Sequence, residues 1–421
     1  MESLIAQSKD ELVQSLSFGL GNTKTASYVQ GRHQSTFYPT GASSSYTWNN
    51  SRVVRIILAD SSAFLDCATV RLCYTIRNLS TTLPLRLCGR ADTIWERARL
   101  LVSGYPVEDI QFYGRTSYML SKFDVRERNQ NDTLEQPWNV DIPATKARRF
   151  IVDLRFGVLN AGKALSLSWS PLTLELTLGG DPSEYLRKDL AAQNYNRTNW
   201  VIDQVSILAE TMTISPDLTE KWASHLAREG TLSIPFTAIH NSLHVPPNQS
   251  EFDILATRAL SKIRSVLLSF FAPAGAGDAN VDRVVNTFLW NPLSGAESAT
   301  DNDTLQLQVS LGSKVWPTHP TQSVQEIFYH LRNMLDLSRY GQIDITRSEW
   351  LTDAFCFGMD FERAGGTYNA ASFTGHSSKD GSPIIFHVRN WPGAVFPTRC
   401  FVTIIADSVL VVSQAGASLA D

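Results

Sequence analysis

Cysteine is scarce: five residues in 421, at Cys67, Cys73, Cys88, Cys356 and Cys400. The number is odd and no pair has C-x-x-C spacing, which argues against a disulfide framework. Reduced, buried thiols of an intracellular protein are expected instead. Long apolar runs are missing too, and with no run of about eighteen such residues a bilayer-spanning helix is not expected. The opening stretch MESLIAQSKDELVQSLSFGLG places Glu2, Lys9, Asp10 and Glu11 where a signal peptide needs an apolar core. A soluble protein is the expectation. Basic stripes and tails are also lacking: 37 basic and 41 acidic residues are well mixed, for a formal net charge of −4. That removes the electrostatic basis for gripping nucleic acid, so no sequence-specific nucleic-acid binding is expected. Sequons such as Asn131 to Thr133 and Asn196 to Thr198 carry no weight without a secretory signal.

What is present is core material. A hydrophobic fraction of 43% argues against disorder, and the length calls for two or three domains. Most patterned segments have period two or are β-branched and aromatic runs: 52–59, 69–78, 149–158, 165–178 and 200–214 in the first half. In the second half the same reading covers 231–239, 258–271, 304–311, 354–362, 383–390 and 400–412. Many short strands separated by turn residues predict an all-β protein of antiparallel sandwiches. Between the halves, SPDLTEKWASHLAREG (215–230) reads as a linker helix capped by Ser215 or Asp217 and stopped by Gly230. The chain therefore divides into an arm (1–27), a first sandwich (28–214), the linker helix (215–230) and a second sandwich (231–421). In the arm, Leu4, Ile5, Leu12, Val13 and Leu16 share one helical face. Such an arm either docks on its own body or reaches a neighbouring subunit or a membrane.

Residues 307–335, LQVSLGSKVWPTHPTQSVQEIFYHLRNML, contain a strand, a proline-punctuated turn and a helix. Ser323 and Glu326 form a capping box, in which the serine oxygen accepts an orphan N–H and the glutamate reaches back. Ile327, Leu331 and Leu335 then give one apolar face. A shorter echo, LVSGYPVEDIQFYGRTSYML, occupies 101–120. There, Val107-Glu108-Asp109-Ile110 is expected to open a matching helix, 217 positions before Val324. One order of elements in two blocks of equal length predicts an internal duplication.

Several motifs imitate chemistry. Gly157, Gly162 and Lys163 match a phosphate-binding loop, but Ala164 replaces its Ser/Thr and a strand follows where a helix is required. A glycine-bearing connection between strands accounts for them. His240 and His244 have zinc-helix spacing, but Asn241 stands where a general base belongs and Pro235, Pro246 and Pro247 surround them, so loop histidines are expected. Asp301-Asn302-Asp303 lacks the glutamate of a calcium loop. GHSSKDG (375–381) reads as a solvent-exposed hairpin loop, and APAGAGDAN (272–280) as an insertion without the helix of a dinucleotide site. The scattered Trp and Tyr side chains read as core and interface aromatics. No catalytic, cofactor or metal site is expected, and the protein reads as a non-enzyme.

The segments LQLQVSLGSKVWPTHPTQSVQEIFYHLRNML (305–335), AFCFGMDFERAGG, FTGHSSKDGSPIIFHVRNW and CFVTIIADSVLVVSQAGASLAD resemble the closing part of double jelly-roll major capsid proteins of icosahedral DNA viruses. The likeness is to those of virophages, Polinton/Maverick elements and adintoviruses, with adenovirus hexon more distant. SSSYTWNNSRVVRIILADSSAFLDCATVRLCYTIRN and ARLLVSGYPVEDI resemble the family's opening strands and first helix. The resemblance implies two tandem eight-stranded jelly rolls, each with a short helix between strands. It further implies homotrimeric, pseudo-hexagonal capsomers tiling the facets of a virion around a DNA genome. Partners implied are the chain itself, penton and minor capsid proteins and, through the arm, an internal membrane. The loops near 124–147 and 272–283 are expected to form modest outward towers or none. Alternative readings are another jelly-roll shell component (a minor capsid or RNA-virus capsid protein) or a β-sandwich carbohydrate-binding module.

Overall fold

The computed structural model describes residues 29–41, 43–123, 134–187, 194–272, 289–292, 305–335, 345, 350–351, 354–361, 375–392, 396–413 and 416–420. The arm, the loop tips at 124–133 and 273–283, and Asp301 to Asp303 lie outside the described residues.

In the first half, strands β1 (Val29–Phe37), β2 (Ser45–Tyr46), β3 (Val53–Leu58), β4 (Phe64–Asn78), β5 (Trp95–Val102) and β6 (Tyr105–Gln111) precede helix α1 (Tyr113–Ser121). Strands β7 (Ala147–Asp153), β8 (Ala164–Ser166), β9 (Leu172–Leu178) and β10 (Trp200–Ile214) follow, and helix α2 (Pro216–Glu229) leads into the second half. There the order is β11 (Thr231–His244), β12 (Phe252–Ala256), β13 (Ile263–Phe270), β14 (Gln306–Leu311), β15 (Lys314–Trp316) and helix α3 (Val324–Met334). Strands β16 (Phe357–Asp360), β17 (Ile384–Arg389), β18 (Cys400–Ser413) and β19 (Gly416–Ala420) complete it.

Four antiparallel sheets result: β1-β10-β4-β7, β3-β9-β5-β6, β11-β18-β13-β16 and β12-β17-β14-β15. Strands β2, β8 and β19 attach to the side of these paths. The remaining strands number eight in each half. Counted within its half, one sheet runs first–eighth–third–sixth and the other second–seventh–fourth–fifth, in both halves alike. Among the described residues no sheet mixes strands of the two halves. The fold is a double jelly roll, and its identical strand orders display the duplication more fully than any sequence echo.

Alternation explains the half-buried strands. In β3, Val54, Ile56 and Leu58 are buried while Val53, Arg55 and Ile57 face outward; β12 repeats the pattern. Strand β13 is buried almost throughout, because a helix covers its sheet's outer side. Large aromatics fill both cores. Tyr74 lies 5.7 Å from both Trp95 (edge-on) and Phe150 (stacked), and Phe270 meets Trp391 at 5.0 Å. Each such side chain contributes roughly 2 kcal/mol by leaving water.

The segment Val107 to Ile110 is not a helix. It lies in β6, with Leu100 opposite Glu108 and Ala98 opposite Ile110. The hairpin turns through Ser103 (φ 51°) and Gly104 (φ 82°), and two successive positive φ values suit the twist of the flanking strands. Helix α1 starts only at Tyr113, after Phe112 in the left-handed region. The repeated unit is thus hairpin then helix. In the second half β14 and β15 turn through Gly312 (φ 59°) before α3, and the two helices begin 211 positions apart, not 217.

At α3, Ser323 Oγ accepts the Glu326 N–H at 3.2 Å. The Glu326 carboxylate reaches one residue further back than a capping box requires, accepting the Gln322 N–H at 2.7 Å. Ile327 and Leu331 are buried against the second core. Closeness is secured by Gly358 of β16, where a Cβ would stand 2.9 Å from both Leu331 Cδ1 and Met334 Sδ. At α2, the Ser215 hydroxyl is buried without a hydrogen-bond partner and so supplies no cap, while Gly230 (φ 75°) ends the helix.

Candidate functional site

The surface that distinguishes this chain from two separate jelly rolls is the seam between them. It joins β6, α1 and the 154–158 segment of the first to β11, β18 and β19 of the second. Ile234, Phe236, Ala238, Leu410 and Val412, all from the second half, belong to the first core. In return, Met119 and Phe123 of the first half belong to the second core, with Phe112, Tyr118 and Leu120 packed on it. Phe112 meets Phe401 edge-on at 6.0 Å, and the Arg115 guanidinium lies over the Phe271 ring at 5.2 Å.

Polar groups set the seam's register. Asn241, 5% exposed, donates through Nδ2 to the Gln111 carbonyl and to Thr116 Oγ1, each at 2.8 Å, and accepts from Thr403 Oγ1 at 2.8 Å. At Gly157 a Cβ would stand 1.9 Å from the Thr237 carbonyl oxygen, so only glycine lets the two backbones approach. Behind Gly157 the Glu108 carboxylate accepts the N–H groups of Gly157 (2.8 Å) and Val158 (2.9 Å). Burial pushes the Glu108 carboxyl up to about 7, against the pull of the Val158 and Gly157 N–H groups. Below α1, Asp92 is fully buried and accepts from Ser117 Oγ. Burial raises its carboxyl, opposed by Arg90, Arg155 and that hydroxyl.

The outward faces of the equivalent sheets differ. In the first half Arg97 grips Asp109 (2.7 and 2.5 Å), Arg99 meets Glu175 (2.9 Å), and Arg55 joins Glu175 at 3.4 Å. In the second, Asp253 Oδ1 lies 2.9 Å from His387 Nδ1, and His387 Nε2 lies 3.0 Å from Ser310 Oγ. Burial works against ionising Asp253, but Arg389 (2.8 Å) and His387 hold its carboxyl below the usual range. This Ser–His–Asp line escaped sequence reading because its members come from three strands. Ser310 sits on β14, paired on both sides, and the ladder occupies the backbone N–H groups that an oxyanion would require. The line ties strands together.

The other candidates separate. Gly162 (φ 66°) turns the chain into β8 with Lys163 exposed, as expected of a strand connection. His240 and His244 are not loop residues. They lie in β11, paired with Ile404 and Cys400, because period two outweighs the prolines on an edge strand. Ser378 is not exposed either: it is 2% exposed and its hydroxyl donates to the Arg258 carbonyl, pinning GHSSKDG to the β12–β13 connection. All five cysteines are free, and burial pushes the Cys67 and Cys88 thiols up to about 12. Among the described residues no cluster of three His, Cys, Asp or Glu side chains forms a metal site, and no helix is long and apolar enough to cross a membrane.

No family model and no curated protein matches the chain. Solved structures do. The major capsid protein VP54 of the virus PBCV-1, fitted into a reconstruction of the Sputnik virophage, superposes with a TM-score of 0.63 at 10% identity. That match covers 94% of this chain and 98% of the other. The Faustovirus major capsid protein gives 0.60 at 9% identity, covering 98% and 97%. A chain of the Sputnik virophage gives 0.59 at 13% identity, covering 95% and 91%. Over nearly its whole length, then, this chain has the double jelly-roll fold of viral major capsid proteins.

Proposed function

We propose that the protein is a major capsid protein: a structural subunit of a virion, assembling with copies of itself into a shell around a DNA genome. The observation that carries this reading is the repeated strand order, laid out in tandem as in the capsid proteins it matches end to end. In this reading residues 28–214 and 231–421 are two domains that give each chain two similar blocks. Three chains then form a pseudo-hexagonal trimer with a closed interface, suited to paving flat facets. Penton and minor capsid proteins complete the shell. The arm, with Leu4, Ile5, Leu12, Val13 and Leu16 on one face, makes contacts between capsomers or with an internal membrane. The weak net charge suits a container that does not grip its genome.

Native mass of the full chain tests the reading. Three copies of 46.8 kDa give about 140 kDa, and a monomer at micromolar concentration overturns the trimer. Deleting residues 1–20 is expected to leave the trimer and impair shell assembly; loss of the trimer itself would refute the role given to the arm.

A further inference from the structure

At the end of the first jelly roll opposite α2, three short segments run side by side. Strand β10, about 50 Å long, separates this end from α2. Leu85 bridges to Ile142 and Leu87 to Leu186, both antiparallel. The Arg187 N–H donates to the Arg86 carbonyl, and the Cys88 N–H to the Tyr185 carbonyl, each at 2.9 Å. All four bridge residues are buried. Side chains alternate between faces along extended chain, so the neighbours of these residues point the other way. Asp141, Arg86 and Arg187 therefore form one row on the outer face, and all three are half-buried.

The row carries unbalanced charge. Arg86 has Asp141 on one side, with 3.6 Å between the charged atoms, and Arg187 directly opposite on the other. Like charges directly opposite each other weaken a β-bridge, because their Cβ atoms stand about 5 Å apart. Arg197 adds a third guanidinium. The Asn196 N–H donates to the Pro84 carbonyl at 2.7 Å, which lays residue 197 beside the 84–88 segment. Among the described residues no hydrogen bond or ion pair holds the half-buried Arg197 side chain. Burial pushes the Cys88 thiol up, and Arg187, Arg197 and Arg86 all pull against it, so the three guanidiniums share one neighbourhood. The carboxylates of the adjoining 181–184 turn are engaged: Glu184 pairs with Arg115 at 2.6 Å, and Asp181 accepts the Ser183 N–H at 2.9 Å. Arg187 lies over the Tyr195 ring at 5.7 Å, which fixes its plane.

We propose that Arg86, Arg187 and Arg197 form an oxyanion site that takes one doubly charged phosphate or sulfate group. Three guanidiniums against the one carboxylate of the row, Asp141, leave two positive charges, which such a dianion matches. An anion between Arg86 and Arg187 turns their repulsion into a bridge, and the planar fork of each guanidinium suits two oxygens at once. The group arrives either as the free ion or as a monoester on a sugar, and the chemistry recognised is the same. The site goes beyond the shell reading and does not depend on it.

Isothermal titration of the full-length chain with inorganic phosphate, at fixed ionic strength in chloride, tests the site. One saturable equivalent per chain is expected for the wild type. Arg187→Gln is expected to weaken binding at least about tenfold, the scale of a lost charge-assisted pair. Lys163→Gln removes the same charge from the exposed turn before β8, at the other end of β4, and is expected to change affinity less than about twofold. If circular dichroism shows that Arg187→Gln does not fold, Arg197→Gln takes its place with the same expectation. A hexose 6-phosphate titrated in the same way separates the sources. Binding tighter than phosphate by about tenfold or more assigns a sugar monoester, equal or weaker binding assigns the free ion, and either supports the site. A wild-type chain without saturable phosphate binding, or a folded arginine variant that binds as the wild type does, overturns it. Native mass enters neither outcome, so the site and the shell reading fail separately.

Discussion

Helices α1 and α3 occupy the same place in two copies of one strand order, yet they are held by different means. Helix α1 is gripped from both sides, by Gly114 against the Thr93 carbonyl, Ser117 on Asp92, Thr116 on Asn241, and Met119 in the second core. It has no side-chain cap and starts from a left-handed Phe112. Helix α3 has one packed face, and it brings its own cap in Ser323. A helix clamped between two bodies needs little local encoding, while one with an open side must be written into its own residues.

The largest expected effects test the clamp. Gly157→Ala drives a methyl group into the Thr237 carbonyl, and backbone cannot step aside. A loss of about 3 kcal/mol or more in chemical unfolding is expected. The corresponding change beside α3, Gly358→Ala, meets only side-chain atoms of Leu331, Met334 and Leu267, and about 1 kcal/mol is expected. Equal losses would abolish the distinction between clamped and open sides. Asn241→Leu leaves the Gln111 carbonyl, Thr116 and Thr403 without their partner and is expected to destabilise by about 3 kcal/mol.

Glu108 adds a pH dependence to the clamped side. Its folded carboxyl titrates at about 7 against an ordinary 4.5, so between those values the folded chain keeps a proton that the unfolded chain has lost. Stability from this residue therefore falls as pH rises through that window, by at most about 3 kcal/mol, and is flat above it. Glu108→Gln is expected to remove that slope, which denaturant titrations of both proteins from pH 4 to 8 measure as a difference. Parallel curves would place the titration elsewhere. The smallest effect lies on the open side: Ser323→Ala is expected to cost about 1 kcal/mol, with faster hydrogen exchange confined to the first turn of α3. Exchange spreading to the seam would show that the two helices are coupled.

Much of the strand set was legible because burial on one face leaves a period of two in the sequence. The alternation at 231–239 and 400–412 marks β11 and β18, and Gly230 marks the end of α2. Helix α3 was legible through Ser323 and its apolar stripe. The start of helix α1 was not, because Gly114, Thr116 and Ser117 are chosen for contacts from both bodies and leave no apolar period. Glu108, read as part of a helix start, owes its place to two N–H groups fifty residues away. The seam residues Asn241 and Gly157 looked like fragments of a zinc helix and a phosphate loop. Their roles depend on partners more than 75 positions distant, which local spacing does not encode.

Helix α2 has a kinetic consequence. Fourteen residues form a rod of about 21 Å between the last strand of one jelly roll and the first of the next. Among its described side chains none is buried, and it joins the two halves as a tether. A tether of this length keeps the two halves at a millimolar-scale effective concentration, whatever the amount of protein in the cell. The seam is therefore complete as soon as a single chain folds. Dilution acts only on contacts between chains.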